Sequence, residues 1–120
     1  MAPVLPPATI IVYQDDQAVA VWAGLAEVRR EYEPIDVEYG SYRFYGHTGL
    51  RLVPSFTKPV QRHPILGSIA TVGGGEYTLL PGSERDATEL RALVAEAARL
   101  EDNPWFPTLA DLAAYLQTMP

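Results

Sequence analysis

The sequence predicts an α+β fold: a mostly antiparallel sheet of about five to six strands with helices packed on one face, in the order β-α-β-β-β-β-β-α-α. Three observations predict it. Short β-branched or alternating runs, separated by glycine and proline turn signals, fill the first two-thirds of the chain. Two apolar stripes at helical spacing fill the last third and need a surface to cover. The 120 residues are 48% apolar and 20% charged, enough for one core but not comfortably for two.

The elements follow in chain order. Residues 1–8, with Pro3, Pro6 and Pro7, read as a flexible N-terminal arm ahead of a single domain over 9–120. Thr9 to Tyr13 is β-branched and apolar on both faces, as in a central strand. From Asp15 to Tyr32 the spacing of Ala18, Val21, Trp22, Leu25, Val28 and Tyr32 predicts a helix capped by Asp15 or Asp16. Ala18 to Trp22 is also apolar throughout and competes as the second strand of a hairpin turned at Asp15-Asp16. After Pro34, the alternation of Ile35, Val37 and Tyr39 with Asp36 and Glu38 predicts a half-exposed strand. Tyr42 to Tyr45 and Leu50 to Val53 flank a hairpin loop at Gly46 to Gly49. Prolines 54, 59 and 64 assign Ser55 to Gly67 to loop, and Ser68 to Val72 with Glu76 to Leu80 reads as a hairpin about Gly73-Gly74-Gly75. Asp86 and Glu89 make a capping box before Leu90, Leu93, Val94, Ala97 and Leu100, a helix stopped by Asn103-Pro104. Thr108 and Asp111 repeat the pattern before Leu109, Leu112, Ala113 and Leu116. Trp22 and the Trp105-Phe106 pair read as core anchors.

Composition excludes several function classes. The absence of cysteine removes disulfide scaffolds, thiolate zinc sites and cysteine nucleophiles. His47 and His63 stand sixteen residues apart with no metal-ligand spacing, so neither a metal nor another cofactor is expected. Ser41, Ser55, Ser68 and Ser83 lie in no G-x-S-x-G frame, and the glycine triplet opens no helix. Asp15-Asp16 follows a buried strand, where α/β enzymes often carry chemistry, but capping and solvation account for both acids. The opening MAPVLPPA lacks the basic and apolar regions of a secretory signal, and no apolar run reaches bilayer length, so a cytoplasmic protein with no membrane partner is expected.

The charge map is the most informative feature. The net charge is −6, yet residues 41–75 hold Arg43, Arg51, Lys58 and Arg62 and no acid, so that stretch carries +4 and the remainder −10. Alternation along a strand turns Arg43 and Tyr45 outward while Phe44 points to the core, and sets Arg51 opposite Leu50 and Leu52. Arginine forks suit carboxylate or phosphate, and a tyrosine offers a stacking face. Arg43, Tyr45, His47, Arg51, Arg62 and His63 are therefore the candidate ligand-binding residues. The competing reading is a solvated face on which Glu38 pairs with Arg43 or Arg51.

The expected function is a small non-catalytic binding or regulatory module. Its basic-aromatic 41–63 segment would recognise an anionic ligand, an acidic protein surface or, less favoured, single-stranded nucleic acid. A homo-oligomer is compatible with this reading. The alternatives are a small enzyme using His47 or His63 as acid–base with an arginine clamp, and an acidic inhibitor that mimics the partner of a basic protein.

Overall fold

The computed structural model describes residues 4–65 and 68–119, and of 61–65 and 68–73 the backbone alone. The chain forms β1 (Ile10–Gln14), β2 (Ala18–Trp22), α1 (Leu25–Glu31), α2 (Pro34–Tyr39), β3 (Tyr42–Gly46) and β4 (Arg51–Lys58). There follow β5 (Gln61–Ile65), β6 (Ser68–Gly73), β7 (Glu76–Pro81), α3 (Thr88–Glu96), β8 (Arg99–Leu100) and α4 (Leu109–Gln117). One sheet has the order β7-β4-β3-β1-β2-β8, antiparallel except where β8 runs parallel to β2. A second sheet pairs β5 with β6. The α+β class holds. No helix among the described residues is long and apolar enough to cross a membrane.

The expected helix over Asp15–Tyr32 gives way to the hairpin alternative. Val12 faces Ala20 and Tyr13 faces Val19 across a tight loop. Gln17 takes the left-handed region at φ 65°, its N–H donates to Gln14 O at 3.0 Å, and Asp16 Oδ1 accepts from Ala18 N at 3.1 Å. This is a hydrogen-bonded turn closed by one left-handed residue, a common form of three-residue hairpin loop. Both faces of β2 are covered, so its sequence shows no alternation, and an apolar run of five fits strand and helix equally. Helix begins only at Leu25, and Trp22 lies on a strand, half-buried.

The strand expected at Ile35–Tyr39 is the short helix α2. Pro34 supplies a pre-set φ in its first turn, and Gly40, at φ 84°, closes it in the left-handed region. These two brackets outweigh an alternation of only five residues, of which Val37 alone is buried.

The loop expected at Ser55–Gly67 is largely strand over residues 55–65, and residues 66–67 lie outside the described residues. Gly82 N donates to Arg51 O at 2.8 Å, which fixes the phase of the β4–β7 ladder. Pro81, opposite Leu52, and Pro54, opposite Leu79, then fall at positions that make no ladder bond, so neither proline breaks it. The expected Ser68–Leu80 hairpin is corrected too: β6 pairs back to β5 and β7 to β4, leaving the glycine triplet as a joint in one long leg. Gly74 takes φ 83°, and a Cβ on Gly75 would sit 2.7 Å from Val60 Cγ2 and 2.9 Å from Pro34 Cβ. The other leg is interrupted at Pro59-Val60, and beyond the two joints β5 and β6 form a two-stranded ribbon separate from the main sheet.

Helices cover both faces of the sheet rather than one. Ile11, Val19, Val21 and Tyr45 pack with Leu90, Val94, Leu112 and Leu116 on the α3–α4 side. Ile10, Val12, Phe44 and Tyr77 pack with Val28, Tyr32 and Val37 on the α1–α2 side. Central strands apolar on both faces demand two covers. The helix expected to continue through Leu100 ends at Glu96, because Ala98 N and Glu101 N donate to Gln17 O and Val19 O, each at 2.8 Å, carrying β8 along β2. Leu93, Ala97 and Leu100 are accordingly half-buried at the margin of that core. Phe106 is buried and Trp105 packs beside it, while Thr108 caps α4 by accepting from Asp111 N at 3.2 Å. Leu5, within the expected N-terminal arm, is buried in the same core.

Candidate functional site

Two adjacent strands and one helix build the cluster that the sequence anticipated in part. Alternation places Arg43 and Tyr45 of β3 on the α3 side, and the register sets Arg51 of β4 directly opposite Tyr45. Glu89, in the first turn of α3, comes down onto all three. Its Oε1 accepts from Tyr45 Oη at 2.6 Å and from Arg51 Nη1 at 2.7 Å, and stands 3.7 Å from Arg43 Nη1. The Arg51 guanidinium lies over the Tyr45 ring, 5.9 Å from its centroid.

The electrostatics follow from this packing. The Tyr45 hydroxyl bond first, then the two arginine charges, hold the Glu89 carboxyl below its usual range against a penalty from burial. Burial first, then the Glu89 bond and charge, push the Tyr45 phenol above its ordinary value. Two guanidinium groups against one carboxylate leave one positive charge in excess. Arg51 is tightly held, with its Nε buried and lacking a protein partner, whereas Arg43 is 51% exposed and loosely held. Arg43 also borders an open hollow of about 350 Å³ with Gln14, Asp15 and Ser41.

The expectation of an outward Tyr45 and unneutralised arginines is therefore corrected. Tyr45 is fully buried, and α3 brings an acid to a strand pair that has none of its own. Glu89 was legible only as a capping residue; its approach to residues 38 and 44 positions away belongs to the tertiary fold. The structure brings Arg43, Tyr45 and Arg51 together around Glu89, and His47 shares with Arg51 only the wall of a separate hollow. His47 follows β3 in the turn, where its carbonyl accepts from Tyr115 Oη at 2.7 Å. Arg62 and His63 stand on β5 of the ribbon, opposite Thr71 and Ala70, and their side chains lie outside the described residues.

A second hollow, of about 320 Å³, opens at the end of the sheet where β1 begins and β3 ends, with His47 and Glu84 on its wall. Among the described residues no three His, Asp or Glu side chains gather closely enough to hold a metal ion. These features define an α+β protein with a six-stranded mixed sheet and a β-ribbon extension. No family model, curated protein or solved structure matches the chain.

Proposed function

We propose that this protein is a non-catalytic binding module that recognises an acidic protein surface through its 41–63 segment. One observation carries the reading: the acid-free stretch folds into contiguous strands, β3 and β4 in the body and β5 and β6 in the ribbon, so its bases are spread along one extended structure. A small anion needs donors that converge, whereas bases spread over successive strands suit an extended partner. The −10 carried by the rest of the chain opposes a polyanion as dense as nucleic acid, while a few bases, with Arg51 already held by Glu89, suit a limited acidic patch. Arg43 and Lys58 are half to two-thirds exposed and held by carboxylates only at 3.7 Å. Such exposed pairs contribute at most about 1 kcal/mol, so a partner's acids exchange for them readily.

The test is retention of the full chain on immobilised poly-L-glutamate and on heparin at low ionic strength. Wild type should be retained on poly-L-glutamate and elute as salt rises. The Lys58→Glu/Arg62→Glu variant should flow through with its melting temperature unchanged. Wild-type protein that passes both columns overturns the proposal, and stronger retention on heparin would transfer it to nucleic acid.

A further inference from the structure

The geometry points to a second binding site, for a small amine with an apolar body, in the hollow at the end of the sheet. This site is separate from the acidic-partner surface. Its walls include Ile10 of β1, Leu25 of α1, Leu52 of β4 and Leu79 of β7, each on the α1–α2 side of the sheet. Leu25, Leu52 and Leu79 are only half-buried, so apolar surface stays open at the hollow. A volume of about 320 Å³ lies at the lower end of the range of small-molecule sites, which sets the size of the guest.

Gly46 makes the hollow. It stands opposite Ile10 and, by alternation with Phe44, on the same face as Ile10 and Leu52. A strand residue there would normally fill the space. A Cβ built on Gly46 meets nothing nearer than Leu50 O at 3.9 Å. Its φ lies outside the left-handed region, unlike those of Gly40, Gly49 and Gly74, so the backbone does not require glycine at this position. What glycine provides is the opening.

The charge on the wall selects the head group. Arg51 also borders the hollow, but its guanidinium is bound to Glu89. Glu84, by contrast, has neither hydrogen bond nor ion pair among the described residues, and His47 is a further polar residue of the wall. The unmatched charge of the site is thus negative, complementary to an ammonium group on an apolar chain or ring.

The test titrates hexylamine, hexanoate and 1-hexanol into the full chain and follows the methyl signals of Ile10, Leu25, Leu52 and Leu79 by NMR. Hexylamine should shift these signals and bind about fivefold more tightly than hexanoate, the scale of one surface ion pair gained against one like-charge contact. Glu84→Gln should abolish that preference while hexanol still binds. Gly46→Leu should block all three probes, and Ala8→Trp, at an exposed wall residue, provides a second block if the first variant does not fold. Hexanoate binding as tightly as hexylamine overturns the inference, as does a lack of methyl shifts with every probe. Column retention is read on other residues, so either proposal can fail alone.

Discussion

Glu89 accepts from a buried tyrosine hydroxyl and from a half-buried arginine through one oxygen, so its removal leaves polar groups unpaired. Glu89→Ala should destabilise the protein by roughly 1–3 kcal/mol in a denaturant melt, and Glu89→Gln, which keeps an acceptor, by less. Equal losses would show that charge, not hydrogen bonding, holds α3 to the sheet. Tyrosines elsewhere form a second buried network. Tyr32 Oη accepts from Gln14 Nε2 at 2.8 Å and Trp22 Nε1 at 3.0 Å, and Tyr77 Oη donates to Tyr32 O at 2.9 Å. Burial pushes both phenols up to about 12 from an ordinary 10. A raised pKa means that the folded state favours the protonated phenol. The associated stability is therefore complete below pH 10 and declines as pH rises from 10 to 12. Absorbance of the phenolate should show these two tyrosines ionising only as the near-ultraviolet dichroism of the native state is lost.

Elements are held by residues whose backbone has no alternative. Gly49 takes φ 86°, and a Cβ there would lie 2.6 Å from Ala87 Cβ, so the β3–β4 turn packs against the start of α3 only with glycine. Gly49→Ala should cost about 1–3 kcal/mol or more. Gly46→Ala, where space is open and φ is ordinary, should change stability by about 1 kcal/mol or less. A chemical denaturation series on the two variants separates these roles. Edge strand β7 is blunted rather than bare. Arg29 Nε donates to Tyr77 O at 2.8 Å, and Pro81 presents no N–H to a neighbouring chain. Hydrogen exchange should distinguish the central hairpin from the ribbon. Amides of Ile10–Tyr13 and Ala18–Trp22 that bond across β1 and β2 should be protected near the global unfolding free energy. Those of β5 and β6, a two-stranded sheet, should exchange through smaller openings. Equal protection in the two places would mean that the ribbon unfolds only with the body.

The whole molecule is longer than its chain length requires. Its Cα radius of gyration is 15.6 Å and its extents are 57 × 25 × 23 Å, against about 13–14 Å for the radius of a compact chain of 120 residues. β5 and β6 form a sheet of their own beside the six-stranded one. Small-angle scattering should give a radius clearly above the compact value and a correspondingly long maximum dimension. A compact value would show the ribbon folded back on the body.

Local chemistry by itself determined the α+β class, the β3–β4 hairpin and the start of α4. Gly46 to Gly49 and the Thr108–Asp111 cap act within a few residues of themselves, so their effect is written beside them. The acid-free span was equally legible, because a charge count needs no fold. Tertiary structure decided the rest. An apolar run such as Ala18–Trp22 became strand because β1 lay on one side of it and β8 on the other, with helices above and below. Ser55–Lys58 paired, despite the prolines around it, because the ladder phase turned Pro54 and Pro81 to positions without bonds. The candidate site changed most: Arg43 and Arg51 carry charge by composition, but whether that charge is free depends on which helix comes to rest above it. Folding set Glu89 there, since α3 must cover Ile11, Val21 and Tyr45, and the first turn of a helix packed on those residues ends over the arginines beside them.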